Sequence, residues 1–326
     1  MSILKIGVIG YGFIAKVHIA NIIKFPYVKI TSVFSRTKKD VKDLKDFSFY
    51  SDYKEMIKHE ELDTVIIATP TYTHKEITCY CADQGINIFL EKPMAITLEE
   101  CDAIIDSINE NKIKFYIGHV LRFWSTYGSV KNYLFSHYSK IGDIHSIIAR
   151  RLSSFPRRIW FADQSKSGGV ILDLSIHDID YATWILGNVE SVSCKASKLS
   201  KYGMEVFSES TTNLNFEKNK TAKCEASWAK PDDYQFYTYT QIKGSERKIE
   251  FDADKIYNDE FLGIKNIFKS NNGYYNQMEH FFDVILNKNN KFLVSANEGK
   301  EAVKICLAAI NSAENNGKEI YTDEIN

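Results

Sequence analysis

The sequence predicts an α/β protein, with a doubly wound parallel sheet in the N-terminal part and a second α+β domain with a large, mostly antiparallel sheet. The chain opens with an apolar segment that runs directly into closely spaced glycines. Strand-like and helix-like segments then alternate, which is typical of a parallel sheet. Later strand-like segments are separated by short turns, which favours hairpins. Because 326 residues exceed the roughly 250–300 that one core accommodates, we expect two domains, at 1–121 and 122–326.

The opening segment ends in Gly10-x-Gly12-x-x-Ala15. The first glycine permits a tight turn, the second lets backbone N–H groups approach a pyrophosphate, and the alanine lets the next helix pack closely on the strand. Phe13 and Ile14 begin that helix, whose N-terminus attracts a phosphate. A glycine turn after a strand can also be only a turn, but this one opens the chain and precedes a helical pattern. We therefore predict a Rossmann-type dinucleotide-binding domain.

The other elements of this domain follow from hydrophobic periodicity and from turn residues. We predict strands at 28–34, 64–68, 87–90 and 114–117, and helices at 38–46, 73–84 and 97–111.

The end of the second strand bears on the choice of cofactor. Ser35 and Arg36 stand where an acidic residue would hold the ribose hydroxyls of NAD. A hydroxyl and a guanidinium suit a 2′-phosphate, so we predict NADP in preference to NAD. The alternative is that these residues only begin a solvated basic helix.

Two later strand ends carry polar residues, Thr69-Pro70 with His74, and Glu91-Lys92. Ligands bind beyond the carboxyl ends of the strands in an open α/β sheet, so we predict that all five contact the cofactor. The lysine is also placed to reach a substrate oxygen. A proline after a strand is, however, commonly just a stop signal.

In the second domain, a helix that follows Gly169 carries Asp173 and His177, four residues apart and hence on one face. An imidazole beside a carboxylate is a plausible proton relay. The alternative is a surface helix contact worth a few tenths of a kcal/mol. Apolar residues crowd the neighbouring positions, so we expect a largely buried helix, in which polar residues need a reason.

The rest of this domain reads as strands and helices around one sheet. We predict strands at 144–152, 189–199, 211–216, 221–228, 234–243 and 247–251, and helices at 125–139, 276–286 and 296–315. An aromatic sheet face with Phe236, Tyr237 and Tyr239 favours a homo-oligomer, unless the domain's own helices cover that face.

Composition excludes several classes of partner. With 41 basic and 42 acidic residues the formal charge is −1, which gives no overall attraction to nucleic acid or membrane. The six cysteines lack paired spacing, so we expect no metal site. Without a signal-like segment or a long apolar run, we expect a cytoplasmic protein.

Taken together with Arg122-Phe123 and Gly168-Gly169, these motifs give a sequence that closely resembles the glucose-fructose oxidoreductase, inositol dehydrogenase and rhizopine catabolism (Gfo/Idh/MocA) family. The resemblance implies a Rossmann domain, and a C-terminal α+β domain whose open sheet is often used for oligomerisation. It also implies NAD(P)-dependent oxidation or reduction of a small-molecule sugar, polyol or nucleotide-sugar derivative.

By this resemblance, Lys92 matches the family's catalytic lysine, and Asp173 and His177 match its acid/base pair. We expect these three side chains to converge on the nicotinamide and the substrate. The imidazole would exchange the hydroxyl proton, and the lysine would hold the substrate oxygen.

Arginines of the second domain, Arg122 and Arg157, are further predicted substrate contacts, the latter for an anionic substrate such as a uronate. The alternative for Arg157, as for the neighbouring Arg150, Arg151 and Arg158, is solvated charge. Trp160 is a predicted cofactor contact. Many NADP-using relatives have Trp-Arg where this chain has Trp160-Phe161, which weakens the NADP prediction.

Two other functions remain open at this point. One is a non-catalytic sensor that binds a dinucleotide, although an intact lysine and acid/base pair argue against it. The other is a reductase of the dihydrodiol or biliverdin type.

Overall fold

The computed structural model describes residues 3–36, 47–136, 139–257, 263–289 and 291–325, and the chain divides into two units. Unit 1 comprises Met1–Ala95, Glu99–His119 and Tyr274–Lys300, and unit 2 comprises Ile96–Leu98, Val120–Gly273 and Glu301–Asn326. The break at His119 lies close to the boundary that the sequence predicts. The return of Tyr274–Lys300 to unit 1 differs from the prediction, which assigned that segment to the second domain.

Unit 1 is built on a six-stranded sheet in which every described pairing is parallel. The strand order is β3-β2-β1-β4-β5-β6, which confirms the doubly wound sheet. The strands are β1 (Leu4–Ile9), β2 (Val28–Phe34), β3 (Ser48–Tyr50), β4 (Thr64–Ile67), β5 (Asn87–Leu90) and β6 (Phe115–Ile117).

Four helices of the first part of the chain join these strands: α1 (Phe13–Ile22), α2 (Tyr53–His59), α3 (His74–Asp83) and α4 (Leu98–Glu110). The sequence did not predict β3 or α2. Strand β3 has only three residues, none of them buried, so it leaves no hydrophobic period to detect. The predicted helix at 38–46 falls outside the described residues.

Helix α8 (Gly273–Ile285) explains why the chain returns to unit 1. The ring of Tyr275 stacks on Phe25 at 4.8 Å between centroids, and Phe281 meets the edge of Phe89 at 5.5 Å. The ammonium of Lys114 also donates to the carbonyl of Val284 at 2.7 Å. These partners lie far apart in sequence, so the helical pattern alone could not assign α8 to a domain.

Unit 2 contains a seven-stranded sheet in the order β12-β11-β7-β10-β9-β8-β13. The described pairings are antiparallel except the one between β7 and β10, so the mostly antiparallel sheet is confirmed. The strands are β7 (Ile144–Ser154), β8 (Val189–Lys201), β9 (Met204–Phe216), β10 (Lys220–Lys230), β11 (Tyr237–Gly244), β12 (Lys248–Phe251) and β13 (Ile320–Tyr321).

The remaining helices are α5 (Ser125–Leu134), α6 (Gln164–Ser167), α7 (Ile176–Leu186) and α9 (Ala296–Glu314). Helix α7 packs on β7 and β10, in the centre of the sheet. Phe236, just before β11, and Tyr237, the first residue of β11, are exposed. Within the described ranges, no helix combines the length and the apolar character needed to cross a membrane.

Candidate functional site

The glycine turn after β1 has the geometry that the sequence predicts. Gly10 has a φ of +103°, and a Cβ there would lie 2.5 Å from the carbonyl oxygen of Ala68, so a side chain is excluded. At Gly12, which precedes α1, a Cβ would meet no described atom within 4 Å. Ala15 is fully buried, whereas Phe13 is 82% exposed. The helix N-terminus is therefore open to a phosphate, and the turn fits a dinucleotide.

The end of β2 lies beside this turn, since the N–H of Gly10 donates to the carbonyl of Phe34 at 3.0 Å. Ser35 is buried and its N–H donates to the carbonyl of Tyr50 at 3.1 Å, while Arg36 is exposed. The guanidinium is thus the more accessible of the two groups that were predicted to meet a 2′-phosphate.

The buried side chain of His74 contacts the segments that follow β4 and β5. Its Nδ1 lies 2.8 Å from the carbonyl oxygen of Pro93 and its Nε2 lies 3.0 Å from that of Thr69. The side chain is only 1% exposed, and burial lowers its pKa, while the hydrogen bonds to the carbonyls oppose that shift. His74 therefore links the segment that follows β4 to the segment that follows β5. Its contact with the cofactor stays a prediction. Pro70 precedes a short 3₁₀ turn, Thr71–Thr73.

Glu91 and Lys92 follow β5, and Glu91 has a partner that sequence reasoning missed. Nε2 of His18, on α1, lies 2.5 Å from Oε1 of Glu91. The backbone N–H of Lys92 donates to the other carboxylate oxygen at 3.2 Å. The signal available in the sequence was a histidine four residues after Ile14, on the apolar face of a helix that must pack against the sheet.

In unit 2, Asp173 lies in a π-helical turn, Ile171–Ser175, that continues directly into α7. Single π turns inside helices occur frequently at functional sites. The turn follows Gly168 and Gly169, whose φ angles are +67° and +66°. A Cβ on Gly169 would lie 2.9 Å from the carbonyl of Phe207, so this approach requires glycine.

Exposure separates two residues from the rest of this segment. From Ser167 to Ala182 every residue is buried except Asp173 and His177, which are half-buried. The segment is therefore not a surface helix, and the interpretation of this pair as an ordinary surface contact loses its support. A carboxylate and an imidazole share the one face that solvent reaches.

Two buried ion pairs anchor α7 on either side of this face. Arg122 donates from Nη2 to Asp180 at 2.7 Å and from Nε at 3.2 Å, and both side chains are at most 2% exposed. Arg151 makes the same paired contact with Asp178, at 2.8 and 3.2 Å. Sequence reasoning missed both aspartates as partners, because the pairing joins distant segments.

This geometry revises what the sequence suggested for the arginines. The guanidinium of Arg122 is committed to a buried carboxylate, so we now assign it an anchoring contact, and substrate binding by it stays only a prediction. Arg151 is buried rather than solvated, whereas Arg157 is exposed as a substrate contact must be. Trp160, the predicted cofactor contact, is half-buried and stacks on Phe161 at 3.9 Å.

Metal-type ligands do not cluster in the part of the chain that the structure describes. There, no group of three or more His, Cys, Asp or Glu side chains is arranged to hold an ion.

Two models of one protein family match the sequence. The model for the oxidoreductase family with an NAD-binding Rossmann fold covers residues 4–119, and the model for the family's C-terminal domain covers residues 138–250. The chain belongs to the Gfo/Idh/MocA oxidoreductase family. This membership confirms the resemblance that the motifs indicated.

Curated relatives share a little over a quarter of their aligned residues with this chain. An "uncharacterized oxidoreductase" of Bacillus subtilis is 28% identical over 59% of this chain, and the match spans only 57% of that relative's length. The scyllo-inositol 2-dehydrogenase (NAD(+)) of the same organism is 27% identical over 76% of this chain and 73% of its own.

Among solved structures, GenD2 from gentamicin A biosynthesis, determined in complex with NAD, superposes with a TM-score of 0.87 at 20% identity. The alignment covers 98% of this chain and 97% of GenD2. At this level of identity the likeness establishes the fold only.

Proposed function

We propose that this family member is a nicotinamide-dependent dehydrogenase or reductase acting on a sugar, polyol or nucleotide-sugar derivative. The observation that carries the proposal is the half-buried pair of Asp173 and His177 on an otherwise buried segment. A carboxylate and an imidazole kept accessible there suit a group that must exchange a proton with substrate.

The proposed roles divide the chemistry among three side chains. The bound nicotinamide supplies or accepts the hydride. His177 takes the hydroxyl proton as the alcohol is oxidised and returns it in the reverse direction. Lys92 holds the reacting oxygen by a charged hydrogen bond, and Asp173 orients the imidazole or the ammonium.

Two findings support the proposed substrate class, the name of one relative and one exposed arginine. A relative called scyllo-inositol 2-dehydrogenase supports a cyclic polyol or a sugar as the substrate. Exposed Arg157 supports a carboxylate-bearing sugar within the same class.

A substrate screen tests this proposal. We expect inositols, aldoses, uronates or nucleotide sugars to change the nicotinamide absorbance with NAD(H) or NADP(H), and we expect H177A to abolish that change. An exposed histidine on α2, His59, provides the matched control, because H59A should retain full turnover. Tight dinucleotide binding without turnover of any class would instead favour a sensor. Turnover of only dihydrodiols or tetrapyrroles would favour the other reductase type.

For the cofactor we propose a preference for NADP, supported by exposed Arg36 at the end of β2. Replacing Arg36 with alanine should weaken NADP binding relative to NAD by about tenfold, or about 1.4 kcal/mol, because one charge contact to the 2′-phosphate is lost. Titration by protein fluorescence measures both dissociation constants. R150A, at an exposed arginine of unit 2, should leave their ratio unchanged. An unaltered chain that binds NAD about tenfold more tightly than NADP would contradict the preference.

We also propose self-association through the sheet of unit 2. Phe236 is 59% exposed and Tyr237 39% exposed, and neighbouring exposed aromatic residues favour burial against another surface.

A further inference from the structure

We propose that His18 is a positioning residue that holds Lys92 in place through Glu91. The inference rests on the proposed function, because it takes Lys92 as the group that binds the substrate oxygen. It goes beyond that function by adding a residue on α1, a helix otherwise assigned only to the dinucleotide.

The surroundings of His18 are apolar and closed. Its side chain is fully buried, and the rings of Phe89 and Tyr274 meet it edge-on at 5.1 and 5.8 Å between centroids. Among the described residues, Nδ1 has no hydrogen-bond partner. A histidine placed there for packing alone would sacrifice polar contacts for no gain, since an unsatisfied buried group costs about 1–3 kcal/mol. The contact from Nε2 to Glu91 is what this position provides.

The contact defines the hydrogen-bond pattern of both groups. Oε2 of Glu91 accepts the N–H of Lys92, and we take Nε2 of His18 as the donor to Oε1. Each carboxylate oxygen then has its own donor. One is a side chain from α1, and the other is the backbone of the proposed catalytic residue.

The carboxylate of Glu91 occupies space that a side chain on Gly118 would crowd. A Cβ on Gly118, just after β6, would lie 3.3 Å from the carboxyl carbon and from both of its oxygens. Gly118 is itself fixed by its N–H, which donates to the carbonyl of Leu90 at 2.8 Å. Glu91 is only 7% exposed, so water does not readily replace a lost donor. The group is held by His18 of α1 and by the backbone of Lys92, and Gly118 leaves it the space that a side chain would take.

The consequence concerns the position of the lysine ammonium. Without His18 the carboxylate loses the donor that fixes its orientation, and the N–H of Lys92 loses a fixed acceptor. A displacement of about 1 Å at a reacting group can cost about 100-fold in rate. Loss of His18 leaves the glycine turn unchanged, so dinucleotide binding should be retained.

The test uses two variants of His18 in the full chain. H18L fills the space without a donor, whereas H18Q can present an amide N–H near the position of Nε2. We expect H18L to lower kcat by about 10- to 100-fold, with KM and the NAD(P) dissociation constants within about threefold of the parent, and H18Q to restore most of the rate. A purely structural role would lower the folded fraction but leave kcat per folded molecule at the parent value, so the folded fraction is measured by circular dichroism and kcat is corrected for it.

A second readout does not depend on turnover. Hydrogen exchange of the Lys92 amide, followed by NMR, should be about tenfold faster in H18L than in the parent and slow again in H18Q. The matched control is H59L, since His59 makes the same kind of contact, Nε2 to Glu55 at 3.0 Å, between two exposed side chains. That variant should change neither the exchange nor kcat.

These readouts separate the inference from the proposed function. If no substrate is turned over by the parent, the function fails, yet faster Lys92 exchange in H18L alone still supports the positioning contact. Parent-like exchange in H18L overturns the inference. If H18L does not fold, E91Q takes its place, because its amide group cannot accept from both donors through both ends. Parent-like exchange and kcat in E91Q would overturn the inference in the same way.

Discussion

Replacing Lys92 with methionine should lower kcat for the substrate found in the screen by about 10²–10³-fold, because the developing charge on the substrate oxygen loses its cationic partner. Methionine preserves much of the length of the side chain, so the change removes charge more than packing. Steady-state kinetics at saturating cofactor measure the effect. The dissociation constant of the cofactor should change little, since the glycine turn holds the pyrophosphate.

Two further variants make the lysine experiment specific. K92R keeps a positive charge but changes the shape of the group. We expect it to recover only part of the parent kcat, because a planar guanidinium cannot take the exact position of a compact ammonium. K75M changes an exposed lysine on α3 of the same unit and should leave kcat unchanged. If kcat of K92M stays within a few-fold of the parent, the role proposed for Lys92 is wrong.

Replacing Asp180 with asparagine should destabilise unit 2 by about 3–5 kcal/mol, because it leaves the buried guanidinium of Arg122 without its counter-charge. Urea unfolding followed by tryptophan fluorescence measures this loss selectively. All four tryptophans lie within Val120–Gly273, which belongs to unit 2. Unfolding of unit 1 contributes no tryptophan signal of its own.

The control is an ion pair of similar geometry at the surface. Arg150 and Glu225 approach to 2.6 Å, but the arginine side chain is 45% exposed and the glutamate 23%. Replacing Glu225 with glutamine should cost less than about 1 kcal/mol, since solvent screens the pair. Replacing Arg122 and Asp180 together with apolar residues should recover much of the stability lost in D180N. A loss below about 1 kcal/mol in D180N would contradict the anchoring contact.

The same structure shows where sequence reasoning reaches its limit. The glycine turn, the parallel strands and the helix that carries Asp173 and His177 are local features, each written in consecutive residues, and the structure contains all of them. The prediction that Arg122 contacts substrate used the residue's charge and its place in a family motif. Only the folded chain shows that the guanidinium already pairs with Asp180, on α7.

Helix α8 makes the same point for the domain division. Its amphipathic pattern predicted a helix correctly, but the choice of sheet depends on which surface matches its aromatic side chains. Phe25 and Phe89, which lie far earlier in the chain, provide that surface. A hydrophobic period says that a helix face is buried, not what buries it.

By itself the sequence determined the two types of sheet, the dinucleotide turn and the residues proposed for the chemistry, because each depends on backbone conformation or side-chain chemistry over a few positions. The tertiary structure alone decided which polar residues are buried with partners: His18 with Glu91, and two arginines with the aspartates of α7. The physical reason is that burial and charge pairing are set by contacts between distant segments, and these arise only when the sheets and helices pack.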